Sequence, residues 1–264
     1  MDVLSHNREA WDRQAREGCR WSSPVGPEAI EAAKRGVWEV YLTPNRPVPR
    51  EWFGDLQGKR ILCLASGGGQ QAPILAAAGA HVTSFDLSDE QLARDRLLAE
   101  REGLPLECIQ GDMADLSAFG DSRFDLVFNP ISTVFVPDVR PVWRECSRVL
   151  GPGGSLLAGF MNPGFFLFEH ESHDGSDPLS VRYGLPYSES EFENLSPARR
   201  KAVEGGEPME FSHSLDALIG GQLVSGFVIV DFFEDWWSDD ETPLNSFSPT
   251  SMATRATLPP LEIG

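Results

Sequence analysis

The sequence predicts an α/β protein built on a Rossmann-like parallel sheet with helices on both faces. Two observations carry that expectation. Residues 60–160 alternate short apolar runs with helical patterns, as successive βαβ units do. Three glycines, Gly67, Gly68 and Gly69, follow the first apolar run and precede a helical pattern, where a backbone must turn tightly and approach a ligand closely. A chain of 264 residues with 41% hydrophobic content can bury a sizeable core, so a single domain over 1–264 is expected.

Taken in order, residues 1–57 begin with a helical stretch flanked by Trp11 and Trp21. The core, 58–161, holds strands at 60–65, 81–85, 106–110, 124–128 and 155–160, each apolar and closed by turn residues. Pro73 suits a first helical turn and Gly79 a left-handed helix end. Ser88 and Gln91 form a capping box for the next helix. Asp138 and Pro141 start a third, whose Val142, Cys146, Val149 and Leu150 share a core-facing stripe before Gly151-Pro152-Gly153-Gly154 stops it. Residues 162–212 loosen into a Pro-, Gly- and acid-rich stretch bearing Phe165, Phe166, Phe168, Tyr183 and Tyr187, read as an insertion over the active site. Within 213–264 a helix is expected at 215–223, a strand at 227–233 and a final edge strand at 251–257.

Composition narrows the partners. A formal net charge of -18 repels phosphate backbones and anionic lipid, so a small-molecule partner is expected rather than nucleic acid or a membrane. No basic-then-apolar leader opens the chain and no apolar run approaches the ~20 residues of a membrane span, so a cytoplasmic location is expected. Cys19, Cys63, Cys108 and Cys146 are widely spaced, which suits reduced thiols and no metal site. Oligomeric state is not legible.

Ala65-Ser66-Gly67-Gly68-Gly69-Gln70 is placed to hold a nucleotide-type cofactor. Gly67, Gly69 and Ala72 also satisfy the looser dinucleotide form G-x-G-x-x-A, so spacing alone leaves the cofactor open. Asp86, followed by Leu87, ends the second strand near the ~20-residue spacing at which a carboxylate accepts from both hydroxyls of a ribose. The same acid would also suit the N-terminus of the helix that Ser88 opens. After the third strand, Gly111-Asp112-Met113 can offer a carboxylate to an adenine amino group and a backbone amide to a ring nitrogen, although Asp112 alone reads equally well as a solvated loop acid.

With Phe124-Asp-Leu-Val-Phe-Asn-Pro, a helix and Arg148-Val-Leu-Gly-Pro-Gly-Gly following in order, residues 58–160 resemble the class I S-adenosylmethionine-dependent methyltransferases, especially small-molecule enzymes of the ubiquinone/menaquinone-biosynthesis type. The resemblance implies a seven-stranded, mostly parallel sheet with an antiparallel last strand. It also implies S-adenosylmethionine as cofactor, S-adenosylhomocysteine as product, and an N-terminal lid. The glycine loop would surround the methionine part, Asp86 would lie at the ribose, Asp112 and Met113 at adenine, and Asn129 beside the cofactor, with Leu87 and Gln91 also counted among the cofactor-binding residues. Cys63 and Ala65 depart from the family pattern, which has an acid and a glycine there.

Methyl transfer from a sulfonium is an in-line displacement, so alignment and exclusion of water supply most of the rate. Ligands of open α/β sheets bind outside the carboxyl ends of the strands, which places Asn129–Ser132, Asn162 and the Asp235–Ser246 loop with Trp236 and Trp237 on the acceptor side, and the lid that the resemblance implies adds Trp11 and Trp21 as substrate-side candidates. His170, His173 and His213, with Glu169 and Tyr183 behind them, are the candidate bases, although each taken singly reads better as an exposed loop or helix-start residue. The catalytic group is not assigned. Two rival readings stay open: a NAD(P)-dependent oxidoreductase, and a catalytically silent S-adenosylmethionine-binding protein.

Overall fold

Alternation along β1 (Arg60–Leu64) divides the core in two. Leu62 and Leu64 point into one apolar cluster with Phe85, Val127 and Trp143, whereas Ile61 and Cys63 point into another with Trp52, Phe53 and Phe128. A computed structural model describes residues 2–169, 179–238 and 242–260. Burial on both faces makes β1 a central strand, and the sheet order is β3 (Leu106–Gln110), β2 (His81–Asp86), β1, β4 (Phe124–Asn129), β5 (Leu150–Met161), β7 (Ser251–Thr257) and β6 (Val228–Asp235).

Before β1 come α1 (Val3–Glu17) and α2 (Pro27–Lys34). Then α3 (Gln71–Ala77), β2 (His81–Asp86), α4 (Asp89–Glu102), β3 (Leu106–Gln110), β4 (Phe124–Asn129), α5 (Arg140–Val149) and β5 (Leu150–Met161) wind in order. Ser88 caps α4 as expected, its Oγ accepting from the Gln91 amide at 3.1 Å. Gly79 has φ +110°, which favours glycine, and ends the α3 turn. The boundary between α5 and β5 differs. Leu150 leaves the α5 stripe and starts β5, and the glycine run after it falls within that strand, turned at Gly153 with φ +76° and with register shifting between Phe124 and Leu126.

The insertion contributes α6 (Pro197–Glu204), with Ser196 Oγ accepting from the Arg199 amide. The helix expected at 215–223 begins as a wider π-type turn over Asp216–Gly220 and tightens into α7 (Gly221–Val224). Gly221 lets this helix press on α5: a Cβ there would lie 2.8 Å from Trp143 Cδ1. The Trp143 indole is satisfied by the Ala217 carbonyl at 3.0 Å.

β6 (Val228–Asp235) and β7 (Ser251–Thr257) complete seven strands, β7 antiparallel to both neighbours. The expectation that 251–257 forms the edge is corrected. β7 lies between β5 and β6, its alanines buried on both sides, and β6 takes the edge with Val228, Val230 and Phe232 exposed. Among the described residues no helix is long and apolar enough to cross a membrane.

Candidate functional site

The sheet order reverses between β1 and β4, where neighbouring connections leave on opposite faces and a crevice opens at the carboxyl ends. Ala65 at φ +46°, Gly68 at +111° and Gly69 at +77° turn the chain sharply there. The turn is closely covered: a Cβ on Gly67 would lie 2.8 Å from Gln91 Cβ, and one on Gly69 2.8 Å from Pro24 Cβ. Residues 20–25 lie directly above, with Gln70 Nε2 donating to the Arg20 carbonyl at 2.8 Å and the Val25 amide to the Gly69 carbonyl at 2.9 Å.

Asp86 organises the loop's open side. Its Oδ2 accepts from the Gly67 amide at 3.0 Å and its Oδ1 from the Ser88 amide at 2.9 Å. Burial raises its pKa to about 6 in spite of those two hydrogen bonds. Asp112 Oδ1 accepts from the Ala114 amide at 2.9 Å, which shapes the turn that presents Met113.

These residues line one cleft of about 940 Å³. Of the residues expected at the cofactor, Ala65, Ser66, Gly67, Gln70, Asp86, Leu87, Gln91, Asp112 and Met113 line it. Gly69 and Asn129 do not, and both serve the loop from behind. The Gly69 amide donates to buried Asp95, and fully buried Asn129 donates through Nδ2 to the Leu64 carbonyl at 3.0 Å and to Ser132 Oγ at 2.8 Å.

Of the residues expected on the acceptor side, Trp11, Trp21 and Ser132 also line the cleft, Trp21 from the segment that covers the glycine loop, where a Cβ on Gly68 would lie 2.7 Å from its carbonyl oxygen. Asn162 instead caps a short turn, accepting from Gly164 and donating to the Pro249 carbonyl. Tyr183 donates to Glu169 Oε2 at 2.8 Å and lies outside the lining. Buried His213 engages the Thr133 carbonyl through Nε2 at 2.8 Å; desolvation lowers its pKa, and it also lies outside. Trp236 is 47% exposed, whereas its neighbour Trp237 lines the cleft, stacked on Phe165 with ring centroids 6.0 Å apart. His170 and His173 lie outside the described residues.

Sequence reading missed Asn7, Thr43, Phe135, Arg199, Glu207 and Glu210 at this cleft. Asn7 is 1% exposed and ties α1 to the insertion: its Nδ2 donates to the Phe135 and Met209 carbonyls, and its Oδ1 accepts from the Met209 amide at 2.7 Å. Arg199 is buried with Glu189, Nε to Oε1 at 2.6 Å. Neither residue lies in a recognisable local motif. Only the Pro-rich, aromatic character of 162–212 pointed to the region.

A family model described as "Methyltransferase domain" matches residues 62–158. The "Uncharacterized methyltransferase YbaJ" of Bacillus subtilis is 44% identical over 88% of this chain and 91% of its own length. A "Ubiquinone biosynthesis O-methyltransferase" of Bordetella avium is 33% identical over 46% of this chain and 53% of its own. The crystal structure of a putative S-adenosylmethionine-dependent methyltransferase from Listeria monocytogenes superposes with a TM-score of 0.62 at 17% identity, covering 79% of this chain and 94% of that one. Family and fold together set aside the oxidoreductase reading that G-x-G-x-x-A had left open: the chain belongs to the S-adenosylmethionine-dependent methyltransferases.

Proposed function

We propose that this methyltransferase holds S-adenosylmethionine over its glycine loop and directs the methyl group onto a small-molecule acceptor at the aromatic end of the same cleft. The observation that carries this reading is continuity: one cleft runs from Gly67, Asp86 and Met113 to Phe165, Phe166 and Trp237. Its volume, about 940 Å³, is near the upper end for ligand pockets.

The residues present fit the cofactor. Gln91 and Thr43 both line the cleft and each carries a buried side-chain oxygen with no hydrogen-bond partner among the described residues, Oε1 and Oγ1. Unsatisfied buried oxygens of this kind point to a ligand that completes them. In this reading Asp86 accepts from the ribose hydroxyls, the Asp112 carboxylate and the Met113 amide meet the adenine edge, and 65–67 enclose the methionine part. Gly69 and Asn129 support the loop without touching the ligand. When bound, S-adenosylmethionine supplies a methyl group on positively charged sulfur, open to in-line displacement.

What the chain adds is alignment and dryness. Residues 20–25 and α1 cover the loop while Phe165, Phe166 and Trp237 wall the acceptor end, which excludes water and favours near-attack geometry. Melting in the presence of S-adenosylhomocysteine or NAD tests the reading. S-adenosylhomocysteine at about a hundred times its dissociation constant should stabilise the fold by about 2.7 kcal/mol. A shift with NAD and none with S-adenosylhomocysteine would overturn it.

A further inference from the structure

The charge in the cleft is one-sided. Asp2, Asp86, Asp112, Asp138, Glu207 and Glu210 all line it, Glu207 and Glu210 from residues 162–212. Arg199 is the one basic side chain among the described lining residues, and it is already engaged. Its Nε and Nη2 donate to the Glu189 carboxylate, its Nη1 to Glu207 at 3.0 Å, and its Nη2 also to the Pro208 carbonyl at 2.6 Å.

Glu210 differs from the other acids there. Its backbone amide is fixed by Glu189 Oε2 at 2.8 Å, but its own carboxylate makes no hydrogen bond among the described residues. The same cleft is lined by aromatic rings whose faces attract a cation: Trp11 edge-on to Phe135 at 5.0 Å, and Phe165 stacked on Trp237, whose ring the Arg20 guanidinium already faces at 5.9 Å.

We propose that the acceptor is an amine, drawn in as its ammonium ion by Glu210 and the aromatic walls and methylated on nitrogen; this rests on the methyl-transfer reading above. A carboxylate acceptor, or a phenol once ionised, would hold negative charge among acids with no disengaged cation among the described lining residues to meet it, which is unfavourable away from bulk water. An amine avoids that cost. The ammonium gives a proton to the Glu210 carboxylate, and the freed lone pair then forms the N–C bond as the S–C bond breaks with its electron pair going to sulfur. Positive charge thereby passes from sulfur to nitrogen, and the proton on Glu210 leaves to water. Burial raises the Glu210 pKa to about 7 against the attraction of Arg199, with Glu189 and Glu207 adding to the rise, so the group can both hold and release a proton near neutrality.

The test uses a matched set: 2-phenylethylamine, 2-phenylethanol and 3-phenylpropionate, titrated calorimetrically into the full chain with and without S-adenosylhomocysteine. The amine should bind at least about tenfold tighter than either analogue, and Glu210→Gln should remove about that factor for the amine while leaving the alcohol unchanged. Amine affinity should fall as pH drops through about 7 in the native chain but not in the variant. With S-adenosylmethionine and a panel of aryl-alkyl amines, alcohols and acids, mass spectrometry should find methyl groups on amines. Equal or weaker amine binding, an unaffected Glu210→Gln variant, or transfer to an alcohol or acid or to none of the amines overturns the proposal. Ranking within the unmutated chain stands even if the variant folds poorly. S-adenosylhomocysteine binding without amine preference defeats the acceptor assignment alone, whereas failure of S-adenosylhomocysteine to bind defeats the methyl-transfer reading and this proposal with it.

Discussion

Asp95 Oδ1 accepts a hydrogen bond from the Gly69 amide at 2.8 Å while its Oδ2 accepts from Ser84 Oγ at 2.6 Å, so a fully buried carboxylate on α4 clamps the glycine loop to the sheet. The acid that the family pattern carries on β1 is absent here. Cys63 occupies its place, fully buried, with its thiol pKa pushed up by burial and then by the Asp95 charge. A carboxylate thus still reaches the loop, from a helix rather than from the strand.

That clamp makes stability pH-dependent. Burial raises the Asp95 pKa from 3.8 to about 7, against hydrogen bonds from Ser84 and Gly69. With the folded value above the unfolded one, the contribution is full below about pH 4 and is lost as pH rises through about 7. Asp95→Asn keeps the shape without the charge, so its melting temperature should fall less between pH 5 and 8 than that of the native chain, by roughly the effect of 1–2 kcal/mol. Parallel melting curves would refute the clamp's ionisation.

Ala65 is held at φ +46°, a conformation that costs a non-glycine residue about 1–2 kcal/mol. Glycine there relieves the strain but loses more freedom on folding, so Ala65→Gly should raise stability by no more than about 1 kcal/mol. Ala65→Val, β-branched at positive φ, should lower it by about 1–3 kcal/mol. Urea unfolding orders the three; valine as stable as alanine would show that the turn is not strained.

These two residues show what could be read in advance and what could not. The Ala65–Gln70 loop, Asp86 and the Ser88 cap were legible because each is a local device, a turn or a strand end whose chemistry sits within a few residues. Asp95 was not, since on a helix otherwise rich in charge it resembles any solvated acid until the fold brings Gly69 and Ser84 against it. The position of β7 was misread for the same reason: its small, buried residues suit an interior strand as well as an edge, and only pairing with β6 decides. His213, a candidate base that taken singly read better as an ordinary residue, is a buried partner of the Thr133 carbonyl.

Asp86 should couple cofactor affinity to pH. In the proposed reading its ionised carboxylate accepts the ribose hydroxyls, and with a pKa of about 6 it would lose that ability as pH falls. S-adenosylhomocysteine should therefore bind more weakly at pH 5 than at pH 7.5. Asp86→Ala should remove about 1.5–3 kcal/mol of affinity and most of the pH dependence while the fold survives. Unchanged titrations would return Asp86 to the role of a helix-terminal acid.

Asn7 is the joint between α1 and the insertion. Asn7→Ala leaves the buried Met209 amide without its acceptor and should lower stability by about 1–3 kcal/mol. Because α1 also reaches α4 through Asp12, which accepts from Ser88 Oγ at 2.6 Å, the same variant should loosen the cofactor side and weaken S-adenosylhomocysteine binding. A destabilised variant with native affinity would mean that lid and insertion move independently. For the same reason, excising the insertion as a block would strip α1 of its dock, so point substitution is the cleaner probe.

The division of one cleft between donor and acceptor is tested most directly by amide hydrogen exchange with and without S-adenosylhomocysteine. Protection should appear in the loop at 65–70, around 86–91 and at 111–114, and in the covering segment at 20–25. The acceptor end at 164–168 and 207–211 should change little. Protection concentrated at the acceptor end, with the glycine loop unaffected, would contradict the account.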